Sequence, residues 1–136
     1  MDFVKNVPDE LVFRKPGENQ LSFAVFSSGE LILRSGAAVE QTFGGITARL
    51  WDDPFEWTLP EELSSTRKII EYLGEVEQIR KKGLDCFRSD EDLLREIPAP
   101  EKPKTIGSLL IETIGKAEFF RGSAQTVFKL VEKEKH

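Results

Sequence analysis

An all-α fold, three long amphipathic helices behind an N-terminal arm, is what this sequence predicts. Two observations carry it. Apolar residues recur in steps of three and four along three separate stretches, the period of one helix face. Between those stretches stand the breakers, a Trp-Asp-Asp-Pro loop at 51–54 and three prolines at 98, 100 and 103, each of which stops a helix by removing an N–H and crowding the preceding turn.

Residues 1–20 form the arm, because Pro8, Pro16 and Gly17 leave only short apolar pieces such as Leu11-Val12-Phe13. The first stripe runs through Leu21, Val25, Ser28, Ile32, Ser35, Val39, Phe43, Ile46 and Leu50. Glycines at 29, 36, 44 and 45 each cost a helix about 1 kcal/mol relative to alanine, so the helix is placed at 27–50, and Gly44-Gly45 is read as a site of close helix packing. A second helix is placed at 58–84: Thr58-Leu59-Pro60-Glu61 has the pieces of a capping box, and Leu63, Ile69, Ile70, Leu73, Val76, Ile79 and Leu84 make its apolar face. Ser89-Asp90-Glu91-Asp92 opens a short turn carrying Leu93, Leu94 and Ile97, and a proline linker follows. The last helix, 105–132, carries Ile106, Leu110, Thr113, Ala117, Phe120, Ala124, Val127 and Val131. Three helices of this kind favour an antiparallel bundle whose leftover apolar surface is covered by the arm or, in the reading favoured here, by a second copy of the chain.

Composition bounds the function. With 39% hydrophobic and 32% charged residues over 136 positions the chain should fold as one domain. A net charge of −5 without a basic cluster speaks against nucleic acid. No stretch is long and apolar enough for a membrane span, and Met1-Asp2-Phe3-Val4-Lys5 lacks the features of a secretory leader. The lone Cys86 cannot form an internal disulfide and points to a reducing, cytoplasmic setting.

The residues of ordinary catalysis are missing. His136 is the only histidine and stands at the very end, so neither a helical Glu-x-x-His metal site nor a histidine-activated serine can be built. Cys86 follows a helix, with no cationic partner beside it in sequence to activate it, and is read as a packed or surface thiol. Asp52, Asp53 and Glu56 lack the ligand series of a calcium loop and read as loop solvation. Glu71 and Glu75 read as a solvated helix face. Trp51, Phe55 and Trp57 crowd one loop, either as a cap on the bundle end or as an aromatic patch for a protein partner.

Thr105-Ile106-Gly107-Ser108-Leu109-Leu110 followed by Lys116-Ala117-Glu118-Phe119-Phe120-Arg121-Gly122-Ser123-Ala124-Gln125 resembles the closing helix of the DinB/YfiT-like superfamily. Ser89-Asp90-Glu91-Asp92-Leu93 is similar to that family's acidic lead-in, and Phe26-Ser27-Ser28-Gly29-Glu30-Leu31-Ile32-Leu33-Arg34 to its Trp-Ser-x-x-Glu-x-x-x-His stretch. The resemblance implies a four-helix, commonly dimeric bundle that often holds a divalent metal on three histidines. Here Arg34, Lys116 and Phe120 occupy the implied ligand positions, and two cations and a phenyl ring cannot make such a site. The family's first helix is largely missing, which adds weight to assembly between chains. The resulting expectation is a metal-free, cofactor-free binding or interaction module that forms a homodimer and serves a protein or small-molecule partner. The alternative is an enzyme or small-molecule binder in which Arg34 and Lys116 hold an anionic group in a pocket shared with Phe120 and Tyr72.

Overall fold

In the computed structural model, which describes residues 4–17, 26–56 and 65–135, the chain is mostly helical. Helix α1 is a single turn, Asp9–Val12, preceded by a 3-10 turn at Val4–Asn6. The long helices are α2, Ser28–Ala48, α3, Thr66–Asp85, and α4, Ile106–Lys135.

Helix α2 starts where the Ser27 side chain accepts a hydrogen bond from the Glu30 amide at 3.1 Å, satisfying one of the unpaired N–H groups of a helix start. It stops at Arg49, which takes the left-handed conformation at φ 58°. A residue with a Cβ adopts that conformation at a cost. Here the Arg49 guanidinium donates back to the carbonyl of Ile46 at 2.6 Å, so the cation sits on the negative end of the helix. The expected span of 27–50 is therefore close to the observed one. Its early stripe members Leu21 and Val25 lie outside the described residues.

Helix α3 departs from expectation. It begins at Thr66, not Thr58, and the proposed capping box at 58–61 lies outside the described residues together with Leu63 and Trp57. Ser65 is extended, and its hydroxyl accepts from the Lys68 amide at 3.2 Å. A second cap reaches in from the arm, where the Asp9 carboxylate accepts from the Thr66 amide at 2.8 Å and the Thr66 hydroxyl donates to the Val7 carbonyl at 2.9 Å. The Thr66 amide, with the Thr66 hydroxyl as a smaller contribution, holds the carboxyl of Asp9 below its ordinary range.

Helix α4 runs three residues past the expected 132. Its start is set by Thr105, whose hydroxyl accepts from the Ser108 amide at 3.1 Å. The proline linker is the loop of a small antiparallel hairpin: β1, Glu96–Ile97, pairs with β2, Lys104–Thr105, in the register Glu96 with Thr105 and Ile97 with Lys104. Prolines are excluded from the paired positions and fall in the loop between them.

Helix α2 is the centre of the molecule. Helices α3 and α4 both pack on it while making only marginal contact with each other, and the N-terminal arm spans the two, the 3-10 turn lying on α3 and α1 on α4. The arm thus does part of the covering that the sequence left to it or to a second chain. Val4, Val7, Leu11 and Val12 join Leu31, Ile32, Leu33, Ile69, Tyr72, Val76, Ala124, Val127 and Val131 in one core. Phe43, Ile46, Ile97, Ile106 and Leu109 form a second core at the hairpin end. Leu84, expected on the apolar face of α3, is instead exposed.

The small residues of α2 admit neighbours that a side chain would push away. A Cβ on Gly36 would come 3.0 Å from the Tyr72 ring, one on Gly45 would fall within the Trp51 indole, and one on Gly29 would lie 2.8 Å from the Val12 carbonyl. Gly45 therefore receives a loop tryptophan and not, as expected, a neighbouring helix.

Candidate functional site

The seam between α2 and α4 is open along part of its length. Near its middle lies a cavity of about 100 Å³ lined by Arg34, Gln41, Asp53, Phe55, Lys116 and Phe120. Arg34 and Lys116 come from facing helices, Phe120 lies one turn beyond Lys116, and Phe55 belongs to a 3-10 turn at Pro54–Glu56. The three positions singled out by their family resemblance thus meet at one site.

Arg34 is flanked by aromatic rings and not hydrogen-bonded to a carboxylate. Its guanidinium carbon lies 4.1 Å from the Phe26 ring centroid and 4.5 Å from that of Phe55, close enough for cation–π attraction to each ring. Its nearest carboxylate is Glu30, one turn earlier, at 4.0 Å from Nε. That is too long for a hydrogen bond, and both Arg34 Nε and Glu30 Oε2 are sealed from solvent without a partner. The two terminal nitrogens of Arg34 have no protein acceptor among the described residues, although the side chain remains 29% exposed. Lys116 is exposed and, among the described residues, pairs with no carboxylate.

Phe55 reaches Arg34 because Asp53 shapes the loop: its Oδ1 accepts the Phe55 amide at 2.9 Å. This Asx-type turn is the work of an aspartate that the sequence suggests only as loop solvation.

A second cavity, about 260 Å³, shares Gln41 and Lys116 with the first and continues the seam toward the hairpin. Trp51, Glu101, Lys104, Leu109 and Glu112 line it. The Lys104 ammonium lies 3.1 Å from the Glu112 carboxylate, so these two charges largely cancel. Trp51 is anchored at both ends, its indole N–H donating to the Pro98 carbonyl at 3.2 Å and its own carbonyl accepting from Gln41 Nε2 at 3.0 Å. Thr42 and Thr113 join their hydroxyls across the seam, and Ser35 donates to the Ala117 carbonyl at 2.8 Å, pinning α2 to α4 on either side of the Lys116 position.

Two sequence expectations need correction. Tyr72 is not part of this pocket. Its ring is buried on the α3 side of α2, where its hydroxyl donates to Glu40 Oε2 at 2.7 Å, and burial together with the Glu40 carboxylate pushes its pKa well above the ordinary phenol value. The reason is geometric: α2 presents Arg34 to one neighbour and Gly36 to the other, and Tyr72 belongs with the glycine. Nor do Trp51 and Phe55 form a free aromatic patch, since both are half-buried against α2. Trp57, the third member, lies outside the described residues, as does His136.

Among the described residues no group of three histidine, cysteine, aspartate or glutamate side chains is placed to hold a metal ion, and no helix is long and apolar enough to cross a membrane. Cys86 is a free, exposed thiol at the end of α3.

The outer face of α4 is a separate feature, hidden in the sequence behind the stronger apolar stripe of the buried side. Ile111, Ile114 and Phe119 are 73%, 64% and 68% exposed. Gly115 and Gly122 lie on the same face with open space where a Cβ would stand.

No family model, curated protein or solved structure matches the chain.

Proposed function

We propose that this chain is a metal-free binding module, a divergent relative of the DinB/YfiT-like superfamily, and that it works as a homodimer. The observation that carries the reading is the outer face of α4. Three large apolar side chains within about two and a half turns of one helix stand in water, an arrangement that soluble monomers avoid and interfaces use.

A second copy is the occupant that fits. Ile111, Gly115, Glu118 and Gly122 follow one another at steps of four, three and four, the spacing of a helix–helix seam. An antiparallel pair would set Ile111 against Gly122 of the other copy, a bulky residue over open space. Asp90 and Glu91 stand on the turn that packs against Gly107 at the start of α4, while Lys129 and Lys133, interspersed with Glu132 and Glu134, stand near its end. Antiparallel pairing brings these two lysines toward the acidic turn of the other copy. Burying six apolar side chains at about 2 kcal/mol each gives about 12 kcal/mol, which exceeds an association cost of about 4 kcal/mol, the low end of its range, by about 8 kcal/mol, so the expected dimer is of micromolar order at its tightest.

The metal-free part of the reading is supported by the cations and phenyl ring at the implied ligand positions, and the cytoplasmic setting by the exposed, unpaired Cys86. Sedimentation equilibrium on the full chain tests the association. The parent should show a monomer–dimer transition, and Ile111→Glu combined with Phe119→Asp should abolish it with helical circular dichroism preserved. In a Cys86→Ser background, Ile111→Cys with Gly122→Cys should oxidise to a covalent dimer. A strictly monomeric parent would overturn the dimer, and stoichiometric zinc, nickel or iron resisting chelator would overturn the metal-free reading.

A further inference from the structure

We infer that the α2–α4 seam is a binding site for a small organic oxyanion, a carboxylate or phosphate group carried on a single-ring apolar body. This goes beyond the association through the outer face of α4, which lies on the opposite side of that helix.

The head-group end is defined by Arg34. The rings of Phe26 and Phe55 lie 4.1 and 4.5 Å from its guanidinium carbon, while its terminal nitrogens have no protein acceptor among the described residues and stay available to a ligand. These nitrogens carry N–H donors in a planar fork matched to the two oxygens of a carboxylate or phosphate. The rings also strip water from the cation, which strengthens what it can do for an anion. Lys116 faces the same cavity from α4 with no carboxylate of its own among the described residues. In the cavity lining Asp53 opposes the two cations; Glu30, 4.0 Å from Arg34 Nε, is outside that lining and offsets part of the Arg34 charge from behind.

The body end is defined by Trp51. The larger cavity has Trp51 and Leu109 among its walls, and its Lys104 is already neutralised by Glu112. Glu101 at that end disfavours a second anionic group. The ligand is therefore oriented: oxyanion toward Arg34, ring beside Trp51, with Lys116 and Gln41 at the junction of the two cavities. The larger cavity, about 260 Å³, falls just below the roughly 300–1,000 Å³ of typical small-molecule pockets, which limits the body to about one ring.

The test uses the full chain carrying Trp57→Phe, so that Trp51 is the only tryptophan. Phenylacetate, phenyl phosphate, inorganic phosphate and the neutral benzyl alcohol are titrated by Trp51 fluorescence and by calorimetry. At least one aromatic anion should bind saturably, about tenfold or more tighter than benzyl alcohol and than inorganic phosphate. Arg34→Lys keeps the charge but loses the fork and should weaken that binding about tenfold. Lys116→Met, at an exposed position, should weaken it several-fold and serves as the test should Arg34→Lys fail to fold. Preference for phenylacetate assigns a carboxylate ligand, preference for phenyl phosphate a phosphate one. No saturable binding of either in the millimolar range, or equal binding of benzyl alcohol, overturns the site. Binding retained by the Ile111→Glu, Phe119→Asp monomer separates this inference from the dimer.

Discussion

Gly45→Ala is the perturbation that best tests whether Trp51 truly sits on α2. In a bare helix the change should stabilise by about 1 kcal/mol, since alanine loses less backbone freedom on folding. In this protein the new methyl would occupy the space of the Trp51 indole, so the ring must leave. Leaving breaks the hydrogen bond from the indole to Pro98 and puts the one from Gln41 to the Trp51 carbonyl at risk, each contributing about 1 kcal/mol. Uncovering part of a large aromatic face costs about another 1–2 kcal/mol. The net expectation is a loss of about 2 kcal/mol. For 136 residues the unfolding entropy is about 0.29 kcal/mol/K, so the melting temperature should fall by about 7 °C. Gly74→Ala is the control: nothing stands within 4 Å of its Cβ position in the middle of α3, and it should raise the melting temperature by about 3 °C. Thermal unfolding followed by circular dichroism reads both variants, and Trp51 emission in the Trp57→Phe background should shift to the red for Gly45→Ala alone. Equal stabilisation by the two alanines would refute the packing of Trp51 over Gly45.

Tyr72→Phe removes the donor to Glu40 and leaves a half-buried carboxylate without that partner, so it should cost about 1–2 kcal/mol in urea unfolding, while leaving phenylacetate titration unchanged because Tyr72 lies outside the seam. Asp9→Ala should lower stability at neutral pH by uncapping α3. The carboxyl of Asp9 is held below its ordinary 3.8 mainly by the Thr66 amide. Its contribution is therefore complete above the ordinary carboxyl range and is lost as pH falls through the lowered value. Denaturation midpoints of parent and variant should differ at pH 7 and converge in strong acid, and a gap that stays constant with pH would contradict the capping role.

Arg34 on the first long stripe and Lys116 and Phe120 on the last stand out in the sequence, and the fold brings all three to one cavity. The roles of their neighbours were not legible. Phe26 and Phe55 are ordinary aromatic residues in sequence, and only the course of the 51–56 loop, turned by Asp53, lays Phe55 over the Arg34 guanidinium. Tyr72 has the chemistry of a pocket residue, but Gly36 leaves room for its ring on the other side of α2. The exposed face of α4 was present in the sequence as Ile111, Ile114 and Phe119. It stayed unseen because α4 also carries a stronger stripe at Ile106, Leu110, Thr113, Ala117, Phe120, Ala124, Val127 and Val131.

What the sequence by itself determined is local. Period-3.6 apolar stripes, hydroxyl caps and proline breakers specify where helices can run, and the lack of any histidine other than His136 removes histidine chemistry from the helices, because these properties depend on residues a few positions apart. What only the tertiary structure decided is which faces meet. The central place of α2, the capping of α3 by Asp9 from the arm and the meeting of Arg34, Phe55 and Lys116 at one cavity join residues 21 to 82 positions apart in the chain. Such contacts depend on how whole elements pack, and no local pattern encodes them.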